Sequence, residues 1–572
     1  MIAATIPGAA VLDTDQAAAV AAVATSGRRL DLLIGAAGAG KTTAMAALRR
    51  AWEADHGTGS VLGLAPTAKA ARVLADSLGI PTENTAKWLH ETNRNPGRRE
   101  QLRRLAHQAS TSPFADRSPR AARLGTAAQR VRRAIRRWEL QPGQLVIVDE
   151  ASMAGTLALD RLTAQASAVG AKVLLVGDWA QLSAVESGGA FRMLVADRHD
   201  APELATARRF SHPWERLASV ALRVGDLTAI DAYMDNDRVR GGDTDDMITA
   251  AYTAWARDET AGRVSLLIAD NNATVAELNT RARADRIAWG LVAPHGHRLH
   301  DATRAGVGDR IVTRHNDRHL STGPASWVKN GDTWVVRATH HDGAMSVVRT
   351  GGGKAITLPA HYVAHHVELA YATTAHRAQG DTVDTAHAVV RPQTSREVLY
   401  VAITRGRDAN SAYVCTDADD DEYGAGECWT SRAVLETVLA RTGSELSAHE
   451  TMRAEQERAG SIAQLAAEYD TIARQARRQR WSALTGPALG ADARWDGSAA
   501  WPAPVAGDNA GASSCGIQTM VAGLIPAATG VTDPDLQQAL TERAALIEQR
   551  ADALVSRAIA SHAPWIARLG PP

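Results

Sequence analysis

The segment Gly35-Ala36-Ala37-Gly38-Ala39-Gly40-Lys41-Thr42 fits the pattern G-x-x-x-x-G-K-[ST] without a mismatch. The chemistry of that spacing is phosphate binding. Glycines let backbone N–H groups turn onto phosphate oxygens, a lysine reaches the outer phosphates, a hydroxyl holds a divalent cation, and a helix N-terminus adds a favourable field. The chain has only six lysines and one stands at the required place, which argues against a chance Ala/Gly-rich turn. The expected nucleotide-binding set is Gly35, Gly38, Ala39, Gly40, Lys41, Thr42 and Thr43. The expected ligands are ATP and Mg²⁺, with Thr42 and Asp149 on the metal.

Two further stretches put polar groups at strand ends. Leu145-Val146-Ile147-Val148 delivers Asp149 and Glu150. Asp149 suits Mg²⁺ binding, and Glu150 suits polarising a water that attacks the γ-phosphate. Val173-Leu174-Leu175-Val176 is followed by Gly177-Asp178-Trp179-Ala180-Gln181, where Gln181 would reach toward the γ-phosphate. Taken singly, each of these also reads as a buried strand followed by a turn.

The elements that must hold these residues are short apolar runs alternating with helical patterns. The runs are Leu30–Ile34, Val61–Ala65, Leu145–Val148, Val173–Val176, Val264–Ala269, His387–Val390 and Ala412–Val414. Runs this short and apolar suit strands buried on both faces of a parallel sheet, so the class is α/β. The first four belong to the phosphate-loop domain and the last three to a second α/β domain. Between them, Val307 to Val363 is punctuated by Gly308-Asp309, Asn330-Gly331-Asp332 and Asp342-Gly343, the pattern of a small inserted β-barrel or hairpin module. Ser444 to Trp481 is polar and helical by pattern, Ser482 to Ser514 reads as a linker, and Asp533-Pro534 opens a last helix with an apolar stripe at Leu536, Leu540, Ile547 and Leu554.

The ordered set of Gln16, the phosphate loop, Asp149-Glu150, Gly177-Asp178-x-x-Gln181, Arg208-Arg209-Phe210, Thr374 to Gly380 and Tyr400 to Arg405 resembles superfamily 1 DNA helicases of the RecD-like branch. The wording of Trp214–Ser219 (WERLAS), Ser326–Asp332 (SWVKNGD) and Tyr371–Gly380 (YATTAHRAQG) is similar to the helicase portion of MobF-type conjugative relaxases, the TrwC, TraI and TraA kind. Ser447–Ala473 and Asp533–Leu554 resemble their C-terminal region. The resemblance implies two RecA-like P-loop domains in tandem with an SH3-like insert and a helical C-terminal extension. It sets boundaries at 1–200 for the first domain (Arg-rich helical insert 91–140), 201–306 with 364–440 for the second, and 307–363 for the β module. A helical extension at 441–482, a linker at 483–530 and a helix at 531–567 follow.

The same resemblance implies roles. Lys41, Asp149, Glu150, Gln181, Arg209 and Arg405 form the catalytic set, the two arginines touching the γ-phosphate from the second domain; Arg208 is the rival of Arg209. Gln16 reads adenine, and Gly380 joins the nucleotide site. The implied partner is single-stranded DNA, probed by Thr67, Trp88 and His376, with 5′→3′ movement and other conjugation or DNA-processing proteins as further partners. Trp88 reads equally as a base-stacking residue or a core residue. His361, His365 and His366 are expected on the strand leading into Tyr371–Gly380, not at a metal.

Charge is balanced, 63 basic against 63 acidic residues, so the protein is not basic all over. Thr92 to Trp138 nevertheless carries 13 arginines against Glu100 and Asp116, which reads as a phosphate-tracking surface of basic helices or as a solvated basic face. Three scattered cysteines fit neither a disulfide framework nor a zinc site. No apolar run reaches membrane-spanning length and Met1–Val11 lacks a secretory pattern, so the expected compartment is the cytoplasm. The first tyrosine is Tyr233, so a relaxase-type nicking domain with its tyrosine nucleophile is not expected. The leading expectation is an ATP-driven motor on single-stranded DNA. Its rivals are a translocase without unwinding, a non-catalytic DNA-binding remnant of a relaxase, and an ATPase that acts on proteins.

Overall fold

The computed structural model describes residues 12–110, 119–183, 189–323, 326–417, 429–443, 448–485 and 531–560. Two compact units divide at Ser447. The first unit opens with α1 (Thr14–Thr25), β1 (Leu30–Gly35), α2 (Lys41–His56), β2 (Val61–Ala65), α3 (Ala68–Leu78), β3 (Thr82–Asn84) and α4 (Thr85–Asn93). Then come α5 (Asn95–Ser110), α6 (Pro119–Arg137), β4 (Leu145–Val148), β5 (Lys172–Gly177) and β6 (Glu203–Leu204). The six strands form one sheet in the order β3-β2-β4-β5-β1-β6, parallel throughout.

The continuous apolar runs have a simple cause. Successive side chains point to opposite faces, and helices cover both. Leu33, Ile147, Leu174 and Val176 pack with Met45, Leu48 and Leu74 on one side. Leu32, Val146, Val148 and Leu175 pack with Trp88, Leu162 and Phe191 on the other. The basic insert is two helices, α5 and α6. Arg98 and Arg99 pair with Glu91 and Glu139. Arg123, Arg130, Arg132, Arg133 and Arg136 are exposed and have no acidic partner among the described residues. Residues 111–118, between these helices, lie outside the described residues.

The second lobe begins with helix Pro213–Val224, β7 (Val239–Gly242), helix Thr244–Thr260, β8 (Ser265–Ala269) and helix Asn272–Ala288. A β-rich stretch follows, with β9 (His297–Arg298), β10 (Arg304–Ala305), β11 (Arg310–Thr313), β12 (Asp317–Gly323), β13 (Ser326–Val328), β14 (Thr333–Thr339), β15 (Met345–Arg349), β16 (Ile356–Leu358) and β17 (Val367–Leu369). The lobe closes with β18 (Ala372–Thr374), β19 (Val383–Val390), helix Arg396–Ala402, β20 (Gly406–Cys415) and helix Ser431–Ala440. Its sheet, β18-β8-β19-β20-β7, is again parallel.

The inserted module is an antiparallel sheet, β16-β15-β14-β11-β17, with β12 and β13 as a separate hairpin. Asp342-Gly343 closes the β14–β15 hairpin, with Gly343 at φ 92°. Asn330-Gly331-Asp332 instead carries the chain from one sheet to the other. The sheet also draws in β17, beyond the expected end at residue 363. Trp334, Val336, Met345 and Leu369 share one core with helices Thr244–Thr260 and Asn272–Ala288, so the module is fused to the second lobe by packing. His361, His365 and His366 lie on a short helix, Ala360–His366, and not on the strand expected for them. Pro359 is its N-cap residue, and the strand starts only at Val367. Among the described residues no group of three or more His, Cys, Asp or Glu side chains is placed to hold a metal ion.

The second unit contains helices Ala448–Ala459, Ile462–Thr485 and Pro534–Ala560. The last two pair, with Arg543 2.7 Å from Glu468. Leu540 and Ile547 are buried, but Leu554 of the expected stripe is exposed. The expected linker lies almost wholly in 486–530, outside the described residues, as do Met1–Val11, Cys428 and Cys515. Cys415 is buried and has no disulfide. No helix among the described residues is long and apolar enough to cross a membrane.

Candidate nucleotide site

In the first lobe, β2, β4, β5 and β1 all end at one edge of the sheet because they run parallel. That edge therefore collects the residues after Ala65, Val148, Gly177 and Gly35. The phosphate loop leaves β1 and becomes α2, with Gly40 as N-cap residue at φ 82°. Lys41 Nζ donates to the carbonyl oxygens of Gly35 at 2.8 Å and Ala36 at 3.4 Å. Gly38 has φ 76°, and a Cβ there would lie 2.3 Å from Cβ of Arg209. At Gly40 a Cβ would lie 2.4 Å from Nε2 of Gln16. Both glycines are thus required by backbone conformation and by close neighbours. Gln16 is buried, donates to the Gly40 carbonyl at 3.3 Å and forms a capping box with Asp13. Thr42 is exposed and Thr43 half-buried on the first turn of α2.

Asp149 and Glu150 follow β4. Burial, and next the neighbouring Glu150 carboxylate, push Asp149 up to about 7, against the pull of Lys41. Glu150 adopts φ 51°, a left-handed conformation that costs a non-glycine residue about 1–3 kcal/mol and recurs at functional sites. Two crowded carboxylates near Lys41, with the exposed Thr42 on the adjoining first turn of α2, fit a divalent cation. Gln181 is buried, and its Oε1 has no hydrogen-bond partner, an orphaned acceptor at the same edge.

The segment after β6 and the second lobe together supply cations to this edge. Residues after β6 run under the phosphate loop: the Arg208 N–H donates to the Gly38 carbonyl at 2.8 Å. Arg208 then turns its side chain to Asp13 and Asp15. Arg209 turns the other way and donates to the Thr404 carbonyl at 2.5 Å. Burial and the adjacent Arg405 push Arg209 down to about 9. Arg405 is buried and donates to the Val401 carbonyl at 2.7 Å and the Thr404 hydroxyl at 2.8 Å. Burial lowers it too, while Glu150 opposes. Neither Arg209 nor Arg405 has a carboxylate partner among the described residues. Gln379 donates to Glu150 at 3.3 Å, and Gly380 follows it at φ 85°.

The sequence did not single out the cluster behind these arginines. Asp178 is fully buried, and Arg223 Nε donates to it at 2.8 Å. The Tyr400 hydroxyl donates to Asp178 at 2.9 Å and accepts from the Ala37 N–H of the phosphate loop at 2.9 Å. Asp178 and Tyr400 lie inside recognisable motifs, so a signal existed for them. Arg223 sits on an amphipathic helix with none.

The expected DNA residues separate. Thr67 is the N-cap residue of α3, its hydroxyl oxygen accepting from the Ala70 N–H at 3.1 Å. His376 is exposed on the short helix Ala375–Ala378. Trp88 is only 2% exposed and packs edge-on against Trp138, 5.7 Å between centroids, with Nε1 donating to Gln165. A ring so enclosed has no face for a base, so the stacking expectation for Trp88 is corrected to a core role.

A family profile described as "AAA domain" matches residues 11–244. The conjugal transfer protein TraA of Rhizobium radiobacter is 29% identical over 75% of this chain and 35% of its own length. The RecBCD enzyme subunit RecD of Mycolicibacterium smegmatis is 28% identical over 70% of this chain and 72% of its own. A Pif1 helicase structure from Bacteroides aligns over 78% of this chain and 98% of its own, at 17% identity and TM-score 0.42, a likeness too loose to bear on function. The chain spans about a third of the length of the TraA proteins it matches. Two parallel-sheet lobes with this loop and these strand-end carboxylates have the build of a P-loop nucleotide-binding protein. The chain is similar in sequence to RecD subunits of the RecBCD enzyme and to the TraA conjugal transfer proteins.

Proposed function

We propose that the protein is an ATP-driven motor on single-stranded DNA, moving 5′→3′, in the manner of the motor part of a conjugative relaxase. The observation that carries this reading is the pair Arg209 and Arg405. A buried guanidinium and a half-buried one, without carboxylate partners among the described residues, meet at the phosphate loop, where an anion would compensate them. In this reading ATP lies at the seam, with Gly35, Gly38, Ala39, Gly40, Lys41, Thr42 and Thr43 around its phosphates, Gln16 toward the adenine and Gly380 across the seam. Mg²⁺ would be held by Thr42 and Asp149 and would supply charge that neutralises phosphate oxygens. Glu150 polarises the attacking water, and Gln181 reports the γ-phosphate. Lys41, Arg209 and Arg405 stabilise charge as it develops on the transferring group.

Tyr400 touches both the loop and Asp178, so a change at the phosphates is felt in the second lobe. DNA would cross both lobes near Thr67 and His376. The antiparallel module is read as an SH3-like barrel, the setting as cytoplasmic plasmid DNA transfer, and the domain limits as those expected from the sequence. The test is ATP turnover with and without oligo(dT). Lys41→Ala should abolish turnover without lowering the melting temperature; undiminished DNA-stimulated turnover in that variant defeats the reading. A second reading, translocation without strand separation, is favoured by the 91–140 insert, whose described residues form basic helices and no hairpin. Strand displacement compared with single-strand translocation distinguishes the two.

A further inference from the structure

Away from the nucleotide seam, the β12–β13 hairpin presents Trp327, half-buried and ringed by three cations. Lys87 Nζ lies 4.9 Å from the ring centroid, the Arg318 guanidinium 5.4 Å and Lys329 Nζ 5.5 Å. Lys87 comes from α4 of the first lobe, whereas Arg318 and Lys329 come from the module, so the indole stands where the two meet. A second crossing lies beside it: Arg72 of α3 reaches Asp332 at 2.7 Å, and Arg349 takes the other oxygen at 2.9 Å.

The charges here do not balance. Lys87 pairs with Glu83, and Asp332 serves both arginines. Arg318 and Lys329 have no carboxylate partner among the described residues. Burial, with Arg72 next, lowers the Lys329 ammonium from its usual range. A half-buried cation beside other cations is relieved by an anion. An aromatic face among them suits an anion with a planar π-system, which is the chemistry of a nucleotide. The position extends the proposed track: Thr67 caps α3, and Arg72 lies on the same helix, toward the module.

We propose that Trp327, with Arg318, Lys329 and Lys87, is a second grip on single-stranded nucleic acid, in which a base stacks on the indole and phosphates take the cations. The proposal rests on the motor reading above. As a base arrives, the ammonium and guanidinium groups now over the ring turn to the flanking phosphates. The grip joins the first lobe to the module, so it can hold the strand while the nucleotide seam opens.

The test uses the full chain and fluorescently labelled oligo(dT), read by anisotropy across a salt series, beside DNA-free ATP turnover. Trp327→Ala should weaken binding about tenfold or more, as expected for loss of a stacked base. Trp327→Phe, which keeps a ring, should retain most of the affinity. Arg318→Ala removes an exposed side chain that cannot unfold the protein, and it should lower the salt slope by about 0.7, one phosphate contact on a single strand. DNA-free turnover should stay unchanged in all three. Wild-type affinity in Trp327→Ala and Arg318→Ala, with the parent protein binding DNA, overturns the second grip and leaves the motor reading intact. No DNA binding by the parent protein overturns both. Displacement of the labelled DNA by poly-glutamate as effectively as by unlabelled oligo(dT), through a Trp327-dependent site, assigns the surface to an acidic protein partner and overturns the grip.

Discussion

Four arginines gather around the phosphate loop, and they divide into two regions. On the flanks, Arg208 holds Asp13 and Asp15, and Arg223 holds Asp178 and Glu203. At the centre, Arg405 is buried and Arg209 half-buried, and their hydrogen-bond partners among the described residues are only carbonyl and hydroxyl oxygens. The flanking arginines have carboxylates within the protein to balance their charge. The central pair has no carboxylate in direct contact among the described residues, and a buried charge without a close partner is costly unless a ligand supplies one. The difference teaches where the fold spends charge on itself and where it keeps charge for something it binds.

Arg405→Ala is the hardest test of that division. It should cut ATP turnover by about 10³-fold, in the range seen for arginines that stabilise phosphoryl transfer, with little loss of thermal stability. Unchanged kcat would place the central pair with the flanking ones. Arg223→Ala should do the reverse in kind. Asp178 would be left buried with its main cation gone, and stability in denaturant should fall by about 3–5 kcal/mol. A variant as stable as the parent would show that the flank is not structural.

Glu215 sharpens the contrast from outside the seam. It is fully buried, accepts from Asn410 Nδ2 at 2.8 Å and is pushed up to about 7 by burial. Its folded value lies above its unfolded one, so the folded state binds the extra proton. That stability is complete below the unfolded pKa and is lost as pH rises through about 7. Glu215→Gln should therefore gain about 1–2 kcal/mol at pH 8 and less at pH 5, read from melts at both. An equal effect at the two pH values would contradict the assignment. The smallest effect belongs to Arg208→Ala. Its partners are partly exposed, so the change should cost below about 1 kcal/mol and leave kcat within a few-fold. A loss as large as that of Arg405→Ala would make Arg208 the functional residue of the adjacent pair.

The legible part of the site is the part written in contiguous residues. Gly35 to Thr42 and Asp149-Glu150 each follow a strand, and in a parallel sheet neighbouring strands place such ends together. The second lobe was legible as strands, but its short pieces β7 and β18 carry too few residues for a pattern. The choice between Arg208 and Arg209 had no local signal, because neighbours in an extended segment point opposite ways and only the flanking structure says which way faces the loop. Trp88 was equally open, since its fate depends on Trp138, far along the chain.

By itself, then, the sequence determined the phosphate loop, the strand-end carboxylates and the α/β class, because each rests on local backbone geometry and on the spacing of apolar side chains. The tertiary structure alone decided which arginines are compensated, that Tyr400 joins the loop to Asp178, and that Trp327 stands among cations from two parts of the chain. Those are pairings between distant segments, and charge compensation is a property of neighbours in space rather than of order along the chain.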